Sequence, residues 1–258
     1  MGVKQLETIP EKGHLALMTH LIAGYPSFKA NDDMLDAMID HQVDILEIQV
    51  PFSEPIADGP LFVQANQGAI EAGVRLDEVL AFMKKAAQRF PGPVLMMGYF
   101  NTVLALGLET FLDRLNDTGL SGFILPDLPP EQGRELFANA RERDLAPILL
   151  VAPNTPDERL GELAGQARGM VYAVARKGVT GRHTELGSEL ADYLKRVRNA
   201  FTVPLGVGFG LSTGEDIGFL RDKVDIAIVG SALLKHYQKH KRSGVDRLLE
   251  TFNQARGL

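Results

Sequence analysis

Cysteine is absent from the 258 residues, which removes thiolate nucleophiles, iron–sulfur clusters and cysteine-bound zinc from consideration. No stretch approaches the ~18 apolar residues of a membrane-spanning helix. The first residues, Met1 to Lys12, are polar and mixed in charge, without the apolar centre of an export signal. Positive charge is not in excess either. The formal net charge is −6, which argues against a broad nucleic-acid surface but leaves room for a local pocket that binds a small anion. What remains is a globular composition, with 45% hydrophobic and 23% charged residues. A chain of this length buries roughly 75% of its unfolded surface and needs no disulfide or metal staple. The expectation is a cytoplasmic protein.

Short apolar runs recur, each followed by a turn signal and a segment of helical spacing. They are Ala16–Ile22, Ile45–Val50, Val94–Met97, Gly122–Leu125, Pro147–Val151, Met170–Val174, Leu205–Val207 and Ile226–Val229. None alternates strictly with polar residues, as expected of parallel strands covered on both faces. Between them, Leu108, Phe111, Leu112 and Leu115 form one helical stripe, and Met34, Leu35, Met38 and Ile39 another. Asn31 or Asp32 is a candidate N-cap for the second stripe, and Gly119 a stop for the first. Pro130 and Pro156 suit the first turns of later helices. Strands alternating with helices imply a parallel sheet with right-handed crossovers. Eight repeats in this length predict an α/β fold, a single (β/α)₈ TIM barrel domain over residues 1–258. The rival is an open doubly wound sheet. Against it, the turn Gly24-Tyr25-Pro26-Ser27 has no G-x-G-x-x-G fingerprint, and no linker or composition break marks a second domain.

Strand alternation then selects the chemistry. In Ile45-Leu46-Glu47-Ile48-Gln49-Val50, Leu46, Ile48 and Val50 face the helices, while Glu47 and Gln49 point into the barrel. A carboxyl inside a barrel is costly unless paired or protonated, and burial favours the neutral acid that proton transfer near neutral pH requires. The alternative is an edge strand whose Glu47 meets water. The ten-residue loop Pro51–Pro60 is longer than a plain strand-to-helix turn and places Asp58 over the barrel mouth. Taken alone, Asp58 before Gly59 reads equally as a turn aspartate. Glycine-bearing turns follow the last three strands: Gly178-Val179-Thr180-Gly181, Gly206-Val207-Gly208-Phe209-Gly210, and Gly230-Ser231. Barrels bind phosphate at such places, where backbone N–H groups and a helix N-terminus meet the anion.

The segment Leu46-Glu47 with Val50-Pro51-Phe52-Ser53-Glu54-Pro55-Ile56-Ala57-Asp58-Gly59-Pro60 closely resembles the signature of tryptophan synthase α subunits. So do Tyr99-Phe100-Asn101, Pro126-Asp127-Leu128-Pro129, Arg176 with the turn after it, Gly208-Phe209-Gly210 and Gly230-Ser231, in the family's order. The resemblance implies cleavage of indole-3-glycerol phosphate to indole and glyceraldehyde 3-phosphate, within tryptophan biosynthesis. It implies Glu47 as catalytic acid/base and Asp58 as catalytic aspartate. Tyr172, Thr180, Gly181, Gly210, Gly230, Ser231, Tyr99 and His20 are the implied substrate-contacting positions, with no metal. It also implies no cofactor in this chain and a pyridoxal-phosphate β subunit as partner in an α₂β₂ heterotetramer. Glu54, Asn101 and Asp127 are candidate contacts with that partner.

Several residues depart from the family's common pattern. His20 stands where phenylalanine usually lies, and read by itself is more often a neutral core histidine. Tyr25, Gln49, Glu54, Thr102 and Ala175 also differ from the usual residues. Two rival functions remain. One is aldol cleavage through a Schiff base on Lys177, which reads more simply as an exposed loop lysine. The other is a barrel that has lost catalysis and only activates its partner.

Overall fold

The computed structural model describes the backbone of residues 2–174, 183–208 and 210–258, and the side chains of these residues except 12 and 183–188. Its eight strands are β1 (Ala16–Ile22), β2 (Ile45–Gln49), β3 (Val94–Met97), β4 (Gly122–Ile124), β5 (Ala146–Val151), β6 (Val171–Val174), β7 (Leu205–Gly208) and β8 (Ile226–Val229). They pair in parallel in chain order, and the ladder from β8 back to β1 closes the barrel. That ladder excludes the open-sheet rival.

Each strand sorts its side chains into two layers because neighbours point to opposite faces. Met18, Ile45, Leu95, Ile124, Ile148 and Ile228 fill the inside of the barrel. Leu17, Leu46, Ile48 and Met96 face outward into the larger cluster shared with the helices. Each such fully buried side chain contributes about 1.5–3 kcal/mol relative to exposure. The end of the barrel opposite the strand C-termini is closed by α1 (Gly2–Glu7) and a 3₁₀ turn, Ile9–Lys12. Their Leu6 and Ile9 are buried against the inner layer. The polar look of this segment hid a plug with two apolar contacts.

The helical stripes fall where expected, but two of the expected starts do not. In α2 (Phe28–Asp40) the N-cap is Ser27, whose hydroxyl accepts the Ala30 N–H at 3.1 Å. Asn31 is buried one turn inside. There it accepts the Gly24 N–H at 2.6 Å and donates to the carbonyls of Ile22 and Tyr25, so it braces the preceding turn and caps nothing. Next come α3 (Pro60–Glu71) and α4 (Leu76–Arg89), both between β2 and β3. After α5 (Phe100–Leu106), α6 (Leu108–Thr118) buries Phe111, Leu112 and Leu115 and ends at Gly119 with φ 77°. Pro130 does not open α7 (Arg134–Glu142). The N–H groups of Gln132 and Gly133 both bond back to the Pro129 carbonyl, so a tight turn intervenes before the helix begins. Pro156 sits one residue ahead of α8 (Asp157–Ala164), as its N-cap.

Beyond it lie α9 (His183–Ala200) and α10 (Gly214–Leu220), the latter capped by Thr213. The last, α11 (Ser231–Arg256), starts directly after β8 and runs back past the barrel, with one non-helical residue at Lys241. Among the described residues no helix is long and apolar enough to cross a membrane.

Candidate active site

Parallel register brings the inward residues of β1 and β2 side by side: His20 is paired with Glu47, and Ile22 with Gln49. Glu47 is 2% exposed and Gln49 is fully buried, so the edge-strand reading of Glu47 does not hold. His20 Nδ1 lies 3.3 Å from Glu47 Oε1. Its Nε2 lies 2.8 Å from Gln49 Oε1. The amide of Gln49 donates in turn to Asp58 Oδ2 at 2.6 Å. A continuous polar chain therefore links the two acids through a histidine and a glutamine. Glu47 Oε2 has no hydrogen-bond partner among the described residues.

Asp58 is held in place by its surroundings. Asn66, on the buried face of α3, donates to Asp58 Oδ2 at 3.3 Å and to the Phe62 carbonyl, and accepts the Phe52 N–H at 2.9 Å. The Tyr99 hydroxyl accepts the Ala57 N–H at 3.1 Å, and its ring stacks on Phe52 at 4.8 Å. Tyr99 is thus a prop behind the loop, and it is not among the residues that line the cavity. Burial pushes the Asp58 carboxyl above its ordinary range, while the Gln49 bond and the charge of His20 hold it back. For His20, burial opposes the charged ring, but Glu47 and Asp58 outweigh it and the pKa is raised. Partnered in this way and set on the cavity wall, His20 is no isolated core residue.

The cavity measures about 1010 Å³, ample for a small phosphorylated ligand. His20, Glu47, Asp58 and Tyr172 line it, and Met97, Ile124, Leu150 and Phe62 supply apolar walls. Burial and the two neighbouring carboxyls drive the Tyr172 hydroxyl well above its usual pKa, which keeps it a neutral phenol. A β-carbon at Gly208 would come within 2.5 Å of that hydroxyl, so only glycine leaves room for the ring. Gly210, Gly230, Ser231 and Lys235 line the same cavity, and a β-carbon at Gly230 would come within 3.4 Å of the His20 side chain. Gly210 has φ 64°, a left-handed conformation that favours glycine. Gly230 is the N-cap of α11 and Ser231 its first residue, so the helix's unpaired N–H groups and positive end open onto the cavity.

Sequence reasoning left out Lys235 and Asn66. A signal existed for the first: Lys235 stands four residues after Ser231, one turn along the same helix face. Asn66 had only the weak signal of an amide on an apolar helix face. Thr180, Gly181 and Lys177 lie outside the described residues, as do Ala175 and Arg176.

These features define a class: a (β/α)₈-barrel enzyme with two carboxyl groups and an anion-receptive helix end lining one cavity. Comparison with known proteins narrows it. A family model described as the tryptophan synthase alpha chain matches residues 6–256. The tryptophan synthase alpha chain of Desulforapulum autotrophicum is 43% identical over 237 residues, covering 92% of this chain and 94% of that one. Tryptophan synthase of Mycobacterium tuberculosis superposes with a TM-score of 0.89 at 30% identity, over 99% of this chain and 97% of that chain. A tryptophan synthase complex from Pyrococcus furiosus gives 0.83 at 29% identity, over 94% and 98%. The chain belongs to the tryptophan synthase alpha chain family, lyases that cleave indole-3-glycerol phosphate in tryptophan biosynthesis. The family needs no cofactor in this subunit; pyridoxal phosphate resides in the β subunit. The Pyrococcus furiosus structure is described as a tryptophan synthase complex.

Proposed function

We propose that Glu47 and Asp58 divide the cleavage between them. Indole as its aromatic anion is a poor leaving group, so C3 of the ring is protonated first to give an indolenine. Glu47 delivers that proton. Asp58, as a carboxylate, accepts the ring N–H and stabilises the positive charge that develops there. Glu47, now a carboxylate, then takes the proton of the glycerol hydroxyl next to the breaking bond. The C–C electron pair returns to the ring, and indole and an aldehyde separate. Glu47 ends protonated, as it began. General acid–base catalysis of this kind contributes about 10²–10⁴-fold per positioned group.

The observation that carries the reading is the cavity's mixed lining. Both carboxyl groups and the N-terminus of α11 with Ser231 and Lys235 line the same cavity. A substrate with a basic carbon on an aromatic ring and a phosphate on its tail fits that combination of surfaces. Gly210, Gly230, Ser231 and Lys235 hold the phosphate, and Tyr172 packs beside the reacting centre.

A single barrel domain over 1–258 then serves as the α subunit of an α₂β₂ assembly. Its docking face surrounds the barrel mouth, where Ile56 is 81% and Leu104 65% exposed beside the exposed Glu54 and Asn101. Asp127 is exposed there too, and both of its carboxylate oxygens accept the Phe100 N–H at 3.0 Å, so it also shapes the start of α5. The test is indole release from indole-3-glycerol phosphate, with and without a β subunit. Wild type is expected to release indole and Asp58→Asn to be slower by at least about 10²-fold. A wild type that is inert even with the partner, yet speeds the partner's own reaction, would favour a purely activating subunit.

A further inference from the structure

We propose that His20 is a positioning residue for the cleavage, donating from Nδ1 to Oε1 of Glu47 so that the acid proton sits on Oε2, the oxygen that meets the substrate. This rests on the catalytic assignment of Glu47 above and adds to it a second titrating group.

The hydrogen-bond chain fixes which nitrogen does what. Gln49 donates its amide to Asp58 at 2.6 Å, so its carbonyl oxygen is the atom turned toward His20. His20 Nε2 therefore carries a hydrogen and donates it. The other nitrogen, Nδ1, faces Glu47 Oε1 at 3.3 Å. In the reactive form the ring is protonated and Nδ1–H donates to Oε1, so the acid proton that Glu47 delivers is carried on Oε2. Oε1 is then occupied, whereas Oε2 has no hydrogen-bond partner among the described residues, and Glu47 lines the cavity.

Every group around the ring is consistent with a proton on Nδ1. Glu47 faces it from β2, with Asp58 and Gln49 completing the chain. Phe62 of α3 lies 4.6 Å away as a tilted ring, and Tyr172 and Lys235 line the same cavity. Tyr172 stays neutral, and His20 binds its proton more tightly than a free histidine because of the two carboxyls. Phenylalanine would fill the same space against Phe62 but could neither donate to Glu47 nor hold a proton. A substitution to it therefore separates packing from positioning.

Steady-state indole release by wild type, His20→Phe and His20→Asn across pH tests the proposal. His20→Phe is expected to lower kcat by on the order of 10²-fold. KM should change by less than about threefold. A limb of the kcat–pH profile should move by about one unit or more. His20→Asn keeps an N–H directed at Oε1 but cannot titrate; it should recover most of kcat at its best pH with the limb still displaced. His20→Phe with wild-type kcat and pH profile would overturn the proposal while leaving the assigned reaction intact. A wild type that releases no indole would remove the ground for both.

Should His20→Phe fail to fold, nitrogen-15 NMR of the imidazole answers the same question. His20 is expected to titrate at higher pH in wild type than in Glu47→Gln, and identical titrations would also overturn the proposal.

Discussion

The two ends of this barrel each bury an acid beside a base, and they treat it in opposite ways. At the closed end, Asp44 precedes β2 and is 3% exposed, and Arg256 ends α11 at 2%. Asp44 Oδ2 accepts the Leu17 N–H at 2.9 Å and pairs with Arg256 Nη1, and His14 stands 3.5 Å from Oδ1. Arg256 spends its remaining donors on Asn253, on the Gln42 carbonyl and, more distantly, on the Leu15 carbonyl. At the open end, Glu47 is equally buried but, among the described residues, has His20 on one oxygen and no hydrogen-bond partner on the other. A buried ion pair with its hydrogen bonds satisfied fixes structure, whereas a buried carboxyl left half-satisfied keeps an oxygen for a ligand. Stability is therefore concentrated at the bottom of the barrel and reactivity at its mouth, as the strand C-termini of barrel enzymes lead one to expect.

Substitutions at the two ends should then separate two readouts. Arg256→Ala removes the arginine that pairs with buried Asp44 and should cost about 3–5 kcal/mol in a urea unfolding experiment. The fraction that remains folded should cleave substrate with nearly unchanged kcat. A normal unfolding midpoint would break the comparison from the structural side. Gly208→Ala comes next. The new methyl would overlap the Tyr172 hydroxyl, with a packing cost of about 1–3 kcal/mol. Because Tyr172 lines the cavity, kcat/KM should fall by about tenfold or more, and an unchanged kcat/KM would mean that the ring's position is immaterial.

The smallest effect is in pH. The pKa of His20 is raised in the folded chain, so the fold binds its proton more tightly than the unfolded chain does. The stability from this group is fully present below the unfolded value near 6.5 and is lost as pH rises through the folded value. Stability of the ligand-free protein should therefore decline across that window, and Glu47→Gln should flatten the decline. A rise in wild-type stability through the same window would contradict the His20–Glu47 pairing.

Much of this was legible in the sequence, for identifiable reasons. Strands buried on both faces are apolar throughout, so the eight runs stood out, and simple alternation put Glu47 inside. What sequence did not yield depended on where chain segments meet. Asn31 carries the same chemistry whether it caps a helix or braces a turn; only the position of Ser27 decides. Tyr99 lies in a signature motif, yet its hydroxyl bonds the loop's backbone behind Asp58. His20 read as a core histidine because nothing in the chain says that the register of β1 on β2 sets it opposite Glu47. Once that register is known, His20 and Gln49 cease to be separate oddities and become one hydrogen-bonded pair.

The most direct test is to measure Glu47→Gln twice, once for indole release and once for unfolding free energy. The substitution keeps the side chain's shape and removes its acid. The account predicts a loss of activity of about 10²–10⁴-fold with stability within about 1 kcal/mol of wild type. Near wild-type turnover, or a loss of activity explained by unfolding, would contradict it.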